Sequence, residues 1–404
     1  MQCGLLGRKL SHSYSPQIHG FLGDYPYRLF EIEPNEVEDF LLNGDFSSIN
    51  VTIPYKKTAL SYCSSLSDTA KKLGAVNTIV RNVRGELIGH NTDYFGFLYM
   101  VKKSGIQVNG KKVLILGSGG ASNTAVAVMQ ELGANVVIFS RTGENNYDNI
   151  TLHADTAIIV NATPVGMYPN NGISPVNIDA FPLLEGVLDM IYNPARTKLL
   201  MDAEERGLIA QNGLWMLIAQ AKESSEWFTG NKIDDRIIED IYEKLSKQMQ
   251  SIVLIGMPGC GKTTVGKALA KAYDRTFIDA DSEIEQLAGC SIPEIFRSSG
   301  EEGFRKLETK VLSRLGKESG CVISTGGGCV TREENYPLLH QNGKIIWLHR
   351  DIELLPTNGR PLSQATKLQD MYRIRQPLYR RFADHVVDNK GSIEETLDQI
   401  RRLL

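Results

Sequence analysis

Long apolar runs, paired cysteines, a surplus of one charge and low-complexity tracts are all missing from this chain. Each absence excludes something. A membrane-spanning helix needs about 20 consecutive apolar residues, and no run approaches that length. Zinc ribbons and redox dithiols use C-x-x-C pairs, whereas Cys3, Cys63, Cys260, Cys290, Cys321 and Cys329 stand apart. Scattered thiols read as reduced, and the expected location as cytoplasmic. Met1 to Lys9 holds no basic start followed by a long apolar stretch, so no signal peptide is expected. Lys and Arg total 44 against 47 Asp and Glu, a net charge of −3. Residues 1–248 hold 22 basic and 27 acidic side chains (−5), residues 249–404 hold 22 and 20 (+2), and the two sum to −3. Neither part has the basic surplus of a nucleic-acid binder, so neither nucleic acid nor membrane is expected as a partner. Small anionic ligands stay open, because a few placed arginines suffice for them.

What is present includes two glycine-rich loops. The first, Gly117-Ser118-Gly119-Gly120-Ala121-Ser122, follows the apolar run Val113–Leu116. It has the form expected where a dinucleotide pyrophosphate meets a helix N-terminus, though Ser122 replaces the third glycine. The second, Gly256-Met257-Pro258-Gly259-Cys260-Gly261-Lys262-Thr263-Thr264, is a complete G-x-x-x-x-G-K-[ST] phosphate loop behind Ile252–Ile255. One chain of 404 residues, 42% hydrophobic, is thus expected to fold as two or three domains using two nucleotides.

Around these loops the pattern is that of α/β domains. Strands are expected at Cys3–Gly7, Arg28–Glu33, Ser48–Ile53 and Val76–Arg81, alternating with helices. Lys112–Leu116, Asn135–Ser140, Thr156–Asn161 and Gly186–Met190 give the βαβ rhythm of a parallel sheet. Gln211–Gly230 and Ile233–Lys247 read as helices, and a further α/β unit begins at Ser251.

The strand before Ser140-Arg141-Thr142 should deliver its end to the ribose of a dinucleotide. Arg141 with two hydroxyls suits a 2′-phosphate and favours NADP over NAD. Gly143–Asp155, short and polar, leaves little room for a crossover helix. Upstream, Ser15 before Pro16 reads as a helix N-cap, with Ser13 at the same mouth. Asn50-Val51-Thr52-Ile53-Pro54-Tyr55-Lys56, Asn77-Thr78, His90-Asn91-Thr92-Asp93, Asn161-Ala162-Thr163, Asp189–Tyr192 and Gln220 add polar groups beyond strands or at turns. Jointly, residues 1–248 resemble shikimate dehydrogenase. The resemblance implies that NADPH reduces the C3 carbonyl of 3-dehydroshikimate. Lys56 would then protonate the alkoxide with Asp93 orienting it, and Ser13, Ser15, Thr52, Asn77, Tyr192 and Gln220 would hold the substrate. Gly117, Gly119, Gly120, Ala121, Ser140, Arg141, Thr142 and Gly213 would hold the cofactor. It also implies a substrate-binding α/β domain at 1–95, with helices of 212–248 packing back, and a Rossmann-like domain at 96–211.

In residues 251–404, the phosphate loop alone would fit an ATPase, GTPase or kinase. Its Gly256, Gly259, Gly261 and Thr264 belong to the nucleotide site, Lys262 would reach phosphate oxygens, and Thr263 would ligate Mg²⁺. Asp279 could hold Mg²⁺ through water, and Asp281 could accept the proton of an attacking hydroxyl. Arg305, the Gly326-Gly327-Gly328 run, Gly359-Arg360-Pro361 and Arg375-Gln376-Pro377-Leu378-Tyr379 complete a pattern that resembles shikimate kinase. In that family Asp281, Arg305, Arg375, Gly327 and Gly328 would bind shikimate, and Arg360 would sit on a lid over the transferring phosphoryl group. The lid stretch Ser363–Ile374 is compact. The two resemblances together imply a bifunctional enzyme acting on one small acid. Alternatives are an NAD-dependent quinate/shikimate oxidation, against which Arg141 argues, and a metabolite sensor that has lost catalysis, against which Lys56, Asp93, Lys262, Thr263, Asp279 and Asp281 argue.

Overall fold

The computed structural model describes residues 2–10, 13–355 and 368–404. Arg360 and residues 363–367 of the expected lid stretch lie outside the described residues. Two compact units emerge. One gathers residues 1–166, 173–192 and 199–244; the other gathers 167–172, 193–198 and 245–404.

The first unit holds two sheets. Its elements run β1 Cys3–Gly7, α1 Ser15–Leu22, β2 Tyr27–Glu31, α2 Val37–Asn43, β3 Ser48–Val51, β4 Ser65–Leu66, α3 Asp68–Leu73, β5 Thr78–Arg81, β6 Leu87–His90 and α4 Asp93–Ser104, all in the first α/β layer set. The sheet order is β2-β1-β3-β5-β6-β4. β1 pairs parallel with both β2 and β3, while β5 is antiparallel to β3 and β6. The second sheet follows from β7 Lys112–Leu116, α5 Gly120–Glu131, β8 Asn135–Phe139, β9 Ile158–Asn161, β10 Gly186–Asp189, α6 Lys198–Glu205 and β11 Ile209–Gln211, and α7 Leu214–Thr229 and α8 Arg236–Met249 close the set. Its order is β11-β10-β9-β7-β8, parallel throughout. Val113, Leu114, Ile115 and Leu116 of β7 are all buried, as a central strand covered on both faces requires.

Two local expectations need correction. Ser15 is the first helical residue of α1 and not its N-cap; that position falls to Tyr14, which makes no side-chain cap. The Ser13 hydroxyl accepts the Ser15 N–H at 3.2 Å instead, so the earlier serine takes the capping duty. The expected helix from Gln211 starts at Leu214, because Ile209–Gln211 adds as an edge strand to β10. The crossover after β8 contains no α-helix, and 3-10 turns over Tyr147–His153 fill it.

The second unit contains β12 Ser251–Ile255, α9 Lys262–Ala272, β13 Phe277–Asp279, α10 Ala280–Ala288, α11 Ile292–Leu315, β14 Val322–Ser324, α12 Asn335–His340, β15 Gly343–His349, α13 Leu368–Phe382, β16 His385–Asp388 and α14 Ile393–Arg401. The parallel order β13-β14-β12-β15-β16 puts the wholly buried SIVLI strand at the centre. Helices cover this sheet, giving the expected α/β class with a central parallel sheet. α11 is broken at Gly300, whose φ of 66° no ordinary helical residue adopts.

Candidate active sites

In the first unit, chemistry collects where β3, β5 and β6 meet α4 and α7. Lys56 lies beyond β3 and Asp93 opens α4, with Asn91 Oδ1 accepting the Asp93 N–H at 3.1 Å. Lys56 Nζ sits 2.5 Å from Asp93 Oδ2. Asn77 Nδ2 donates to the other oxygen, Oδ1, at 2.9 Å. The amide of Asn77 has one orientation, because its Oδ1 accepts the Thr92 N–H at 2.8 Å. Asp93 is thereby held as an acceptor on both oxygens, facing an ammonium and an amide. Gln220 on α7 approaches Asn77 Nδ2 at 3.5 Å and donates to the Leu217 carbonyl at 2.9 Å.

Beneath this array runs a buried hydroxyl network that the sequence reading did not single out. Ser224, fully buried, contacts Thr92 and Thr78 at 2.9 Å and accepts from Asn50 Nδ2 at 2.8 Å. Asn50 accepts from Tyr27 at 2.7 Å. Ser224 stands four residues after Gln220, the helical spacing that puts both on one face; that spacing was the available signal. Tyr14, next to Ser13 and Ser15, lies edge-on to Tyr192 with centroids 6.2 Å apart. Burial pushes the Tyr192 phenol above its usual range. Thr52 follows β3, its N–H bonded to the Leu6 carbonyl at 2.9 Å.

The nucleotide-type loop of this unit lies past the C-terminal ends of the parallel strands, the position where such sheets bind ligands. Gly117 (φ 114°) follows β7, and Gly119 and Gly120 lead into α5. A Cβ on Gly119 or Gly120 would meet nothing within 4 Å, so the backbone there is open to a phosphate. Ala121 is exposed, and Ser122, in the third-glycine position, is buried with its Oγ unpartnered among the described residues. Ser140, Arg141 and Thr142 follow β8, the last two exposed. Asn161, the last residue of β9, donates to Asp189 at 3.0 Å. Gly213 is needed for packing: a Cβ there would lie 2.1 Å from the Met190 carbonyl. These openings fit a dinucleotide.

In the second unit a cavity of about 470 Å³ is lined by Gly259, Gly261, Lys262, Thr263 and Thr264 of the phosphate loop and by Asp281, Arg305, Gly327, Gly328 and Arg375. Gly256, Gly259 and Gly261 have φ of 143°, 87° and 100°, which side-chain-bearing residues rarely adopt. Lys262 Nζ donates to the Gly256 and Met257 carbonyls at 2.8 and 3.1 Å. Thr263 Oγ1 is 3.0 Å from Asp279 Oδ2, a pair of hard oxygens that fits Mg²⁺. The other Asp279 oxygen caps α10, accepting the Asp281 N–H at 3.1 Å.

The rest of the lining is strongly charged. Arg305 is buried and pairs with Glu308 at 2.7 Å and Glu301 at 3.1 Å. Arg375 donates to the Gly327 carbonyl at 3.1 Å, and Tyr379, one turn on, donates to the same oxygen. Among the described residues Asp281 Oδ1 and Glu308 Oε1 have no partner, and each lies 2.8 Å from where a Gly326 Cβ would stand. Burial pushes the Asp281 carboxyl up, with Lys262 opposing; burial also raises Glu308, with Arg305 opposing. Two unpaired acceptors under two arginines suit a ligand with an acid at one end and hydroxyls at the other. Glu308 was not assigned a role from sequence, although its i,i+3 spacing from Arg305 places both on one helix face.

Comparison with known proteins bears on both units. A family model described as the shikimate dehydrogenase substrate binding domain matches residues 5–79, and one described as shikimate kinase matches residues 258–404. A protein named shikimate dehydrogenase (NADP(+)) from Clostridium perfringens (strain SM101 / Type A) is 36% identical over 266 residues, 60% of this chain and 97% of that protein. The crystal structure of shikimate dehydrogenase 1 from Peptoclostridium difficile shares 39% identity, covering 60% of this chain and 97% of that one, with a TM-score of 0.56. A chorismate mutase/shikimate 5-dehydrogenase fusion protein from Clostridium acetobutylicum shares 34% identity over 60% of this chain and 96% of its own, with a TM-score of 0.57.

Proposed function

The chain belongs to the shikimate dehydrogenase family and carries a shikimate kinase domain behind it, and from that premise we propose that it performs two consecutive reactions. The first is NADPH-dependent reduction of 3-dehydroshikimate to shikimate; the second is ATP-dependent phosphorylation of shikimate to shikimate 3-phosphate. NADPH, when bound, supplies the hydride, ATP the phosphoryl group, and Mg²⁺ neutralises phosphate charge.

The residues divide the work. Lys56 gives a proton to the C3 oxygen as the carbonyl becomes an alcohol, and Asp93 and Asn77 fix its position. Ser13, Ser15, Thr52, Tyr192 and Gln220 supply hydrogen bonds to the carboxylate and hydroxyls. A polyhydroxylated acid offers little apolar surface, so polar contacts must carry its recognition. Gly117, Gly119, Gly120 and Ala121 receive the pyrophosphate, and Arg141 with Ser140 and Thr142 receives a 2′-phosphate.

In the second unit, Asp281 accepts the proton of the shikimate 3-hydroxyl as that oxygen bonds to phosphorus and ADP departs. A carboxyl raised by burial is a stronger base for that step. Arg305 and Arg375 pair with the shikimate carboxylate, while Lys262 and the loop N–H groups hold phosphate oxygens and Thr263 and Asp279 hold Mg²⁺. Arg360 is assigned to the phosphoryl group.

The observation that carries the reading is the cavity of the second unit, which brings Lys262, Asp281, Arg305 and Arg375 to one space. It supplies a phosphate end and an acid end for the compound that the first unit would make. The test is direct: purified protein with shikimate, assayed for NADP⁺ reduction and separately for ADP release. Both activities are expected, and absence of either removes that half of the reading.

A further inference from the structure

One carbonyl of the phosphate loop is tied to a residue far away in sequence. The Cys260 oxygen accepts from Asn389 Nδ2 at 2.6 Å. Asn389 directly follows β16 and is buried. Its own N–H donates to the His349 carbonyl at the end of β15, at 2.8 Å. Its side-chain oxygen is also engaged: Thr396 Oγ1, fully buried on α14, donates to Asn389 Oδ1 at 2.8 Å. The amide is therefore keyed. Turning it over would set Oδ1 against the Cys260 carbonyl, two acceptors face to face, and would forfeit the Thr396 hydroxyl's donation to Oδ1. A Cβ on Gly261 would lie 2.6 Å from Asn389 Nδ2, so the asparagine fills the space a side chain at 261 would need.

The consequence follows from peptide geometry. The cis bonds of the described chain all precede proline, so the Cys260–Gly261 peptide is trans. In a trans peptide the C=O and N–H point in opposite directions. Holding the Cys260 oxygen on Asn389 turns the Gly261 N–H away from it, and Gly261 lines the cavity. We propose that Asn389, anchored by Thr396, is a positioning residue that aims the Gly261 N–H at the nucleotide phosphates; this rests on reading the cavity as an ATP-dependent kinase site. A donor aimed in advance needs no reorganisation when phosphate arrives, which is where such dipoles gain their strength.

The test uses the full chain and four proteins: wild type, Asn389→Ala, Thr396→Val and Thr396→Ser. MgATP affinity is measured by titration calorimetry, shikimate KM by ADP release, and folding by thermal melting. Asn389→Ala should weaken MgATP by about tenfold, equivalent to about 1.4 kcal/mol, with the shikimate KM unchanged. Thr396→Val should move MgATP affinity the same way by a smaller factor, and Thr396→Ser should restore it. A folded Asn389→Ala protein that binds MgATP like wild type, or that loses affinity for both substrates equally, overturns the proposal. Should that variant fail to fold, the Thr396 pair decides, and equal MgATP affinity in Val and Ser forms overturns it. A wild type that binds MgATP without phosphorylating shikimate defeats the kinase reading while the MgATP comparison still judges Asn389. A wild type that binds no MgATP defeats both.

Discussion

Gly96 on α4 faces the Met216 carbonyl on α7 so closely that an added Cβ would stand 2.6 Å from that oxygen and 2.9 Å from the Gln220 Cβ. The two helices meet backbone to backbone here, and α7 carries Gln220 and Ser224 into the Lys56–Asp93 array. Gly96→Ala should push α7 outward. Overpacking of this kind costs about 1–3 kcal/mol. Thermal melting should fall, and the reductase KM for shikimate should rise while ADP release holds. Unchanged melting and KM would show that the helix contact is looser than described.

Gly328 stands in the same relation to Arg305. A Cβ there would come within 2.0 Å of Arg305 Nη2. That guanidinium cannot easily retreat, because Glu308 and Glu301 hold it at 2.7 and 3.1 Å. Gly328→Ala should therefore raise the kinase KM for shikimate by about tenfold or more, the loss expected for one charge-assisted bond, and leave NADP⁺ reduction intact. Steady-state kinetics on both activities check this, and an unaltered kinase KM contradicts it.

His19 predicts a pH slope in stability. It is buried against Tyr27 (centroids 4.0 Å apart) and Phe228, with Tyr25 OH 2.8 Å from Nδ1. Burial pushes its pKa down to about 3, against about 6.5 in an unfolded chain. The native state thus refuses a proton that the unfolded state binds. Stability is complete above pH 6.5 and is lost as pH falls toward 3, by about 2 kcal/mol from this residue between pH 6.5 and 5. His90, stacked on Trp227 and lowered to about 4, adds with the same sign. Denaturant unfolding at pH 7 and pH 5 should show a smaller drop for His19→Gln than for wild type. Equal drops would mean that His19 is not the group responsible.

Arg141 is exposed at the end of β8. Arg141→Ser should raise the KM for NADPH and leave that for NADH nearly unchanged, since only one of the two carries a 2′-phosphate. An equal change for both cofactors would remove Arg141 from that role.

How much was legible beforehand depended on distance along the chain. The phosphate loop was plain because its glycines, Lys262 and Thr263 are contiguous and its strand and helix are local. β7 and its glycines were plain for the same reason. Ser15 was misread because a serine two residues earlier takes its N–H, a competition that composition does not reveal. Asn389 and Ser224 were missed because their partners, Cys260 and Asn50, lie on strands or loops brought near only by sheet assembly. Glu308 was closer to hand: its spacing from Arg305 announces a pair, but burial turns that pair from a surface contact into the floor of a site.

The central claim is that one chain carries two separate chemistries, and paired lysine substitutions test it most directly. NADP⁺ reduction and ADP release are measured with shikimate for Lys56→Ala and Lys262→Ala. Lys56→Ala should lose reduction and keep phosphorylation, and Lys262→Ala should do the reverse. Loss of both activities, or of neither, in either protein would contradict the account.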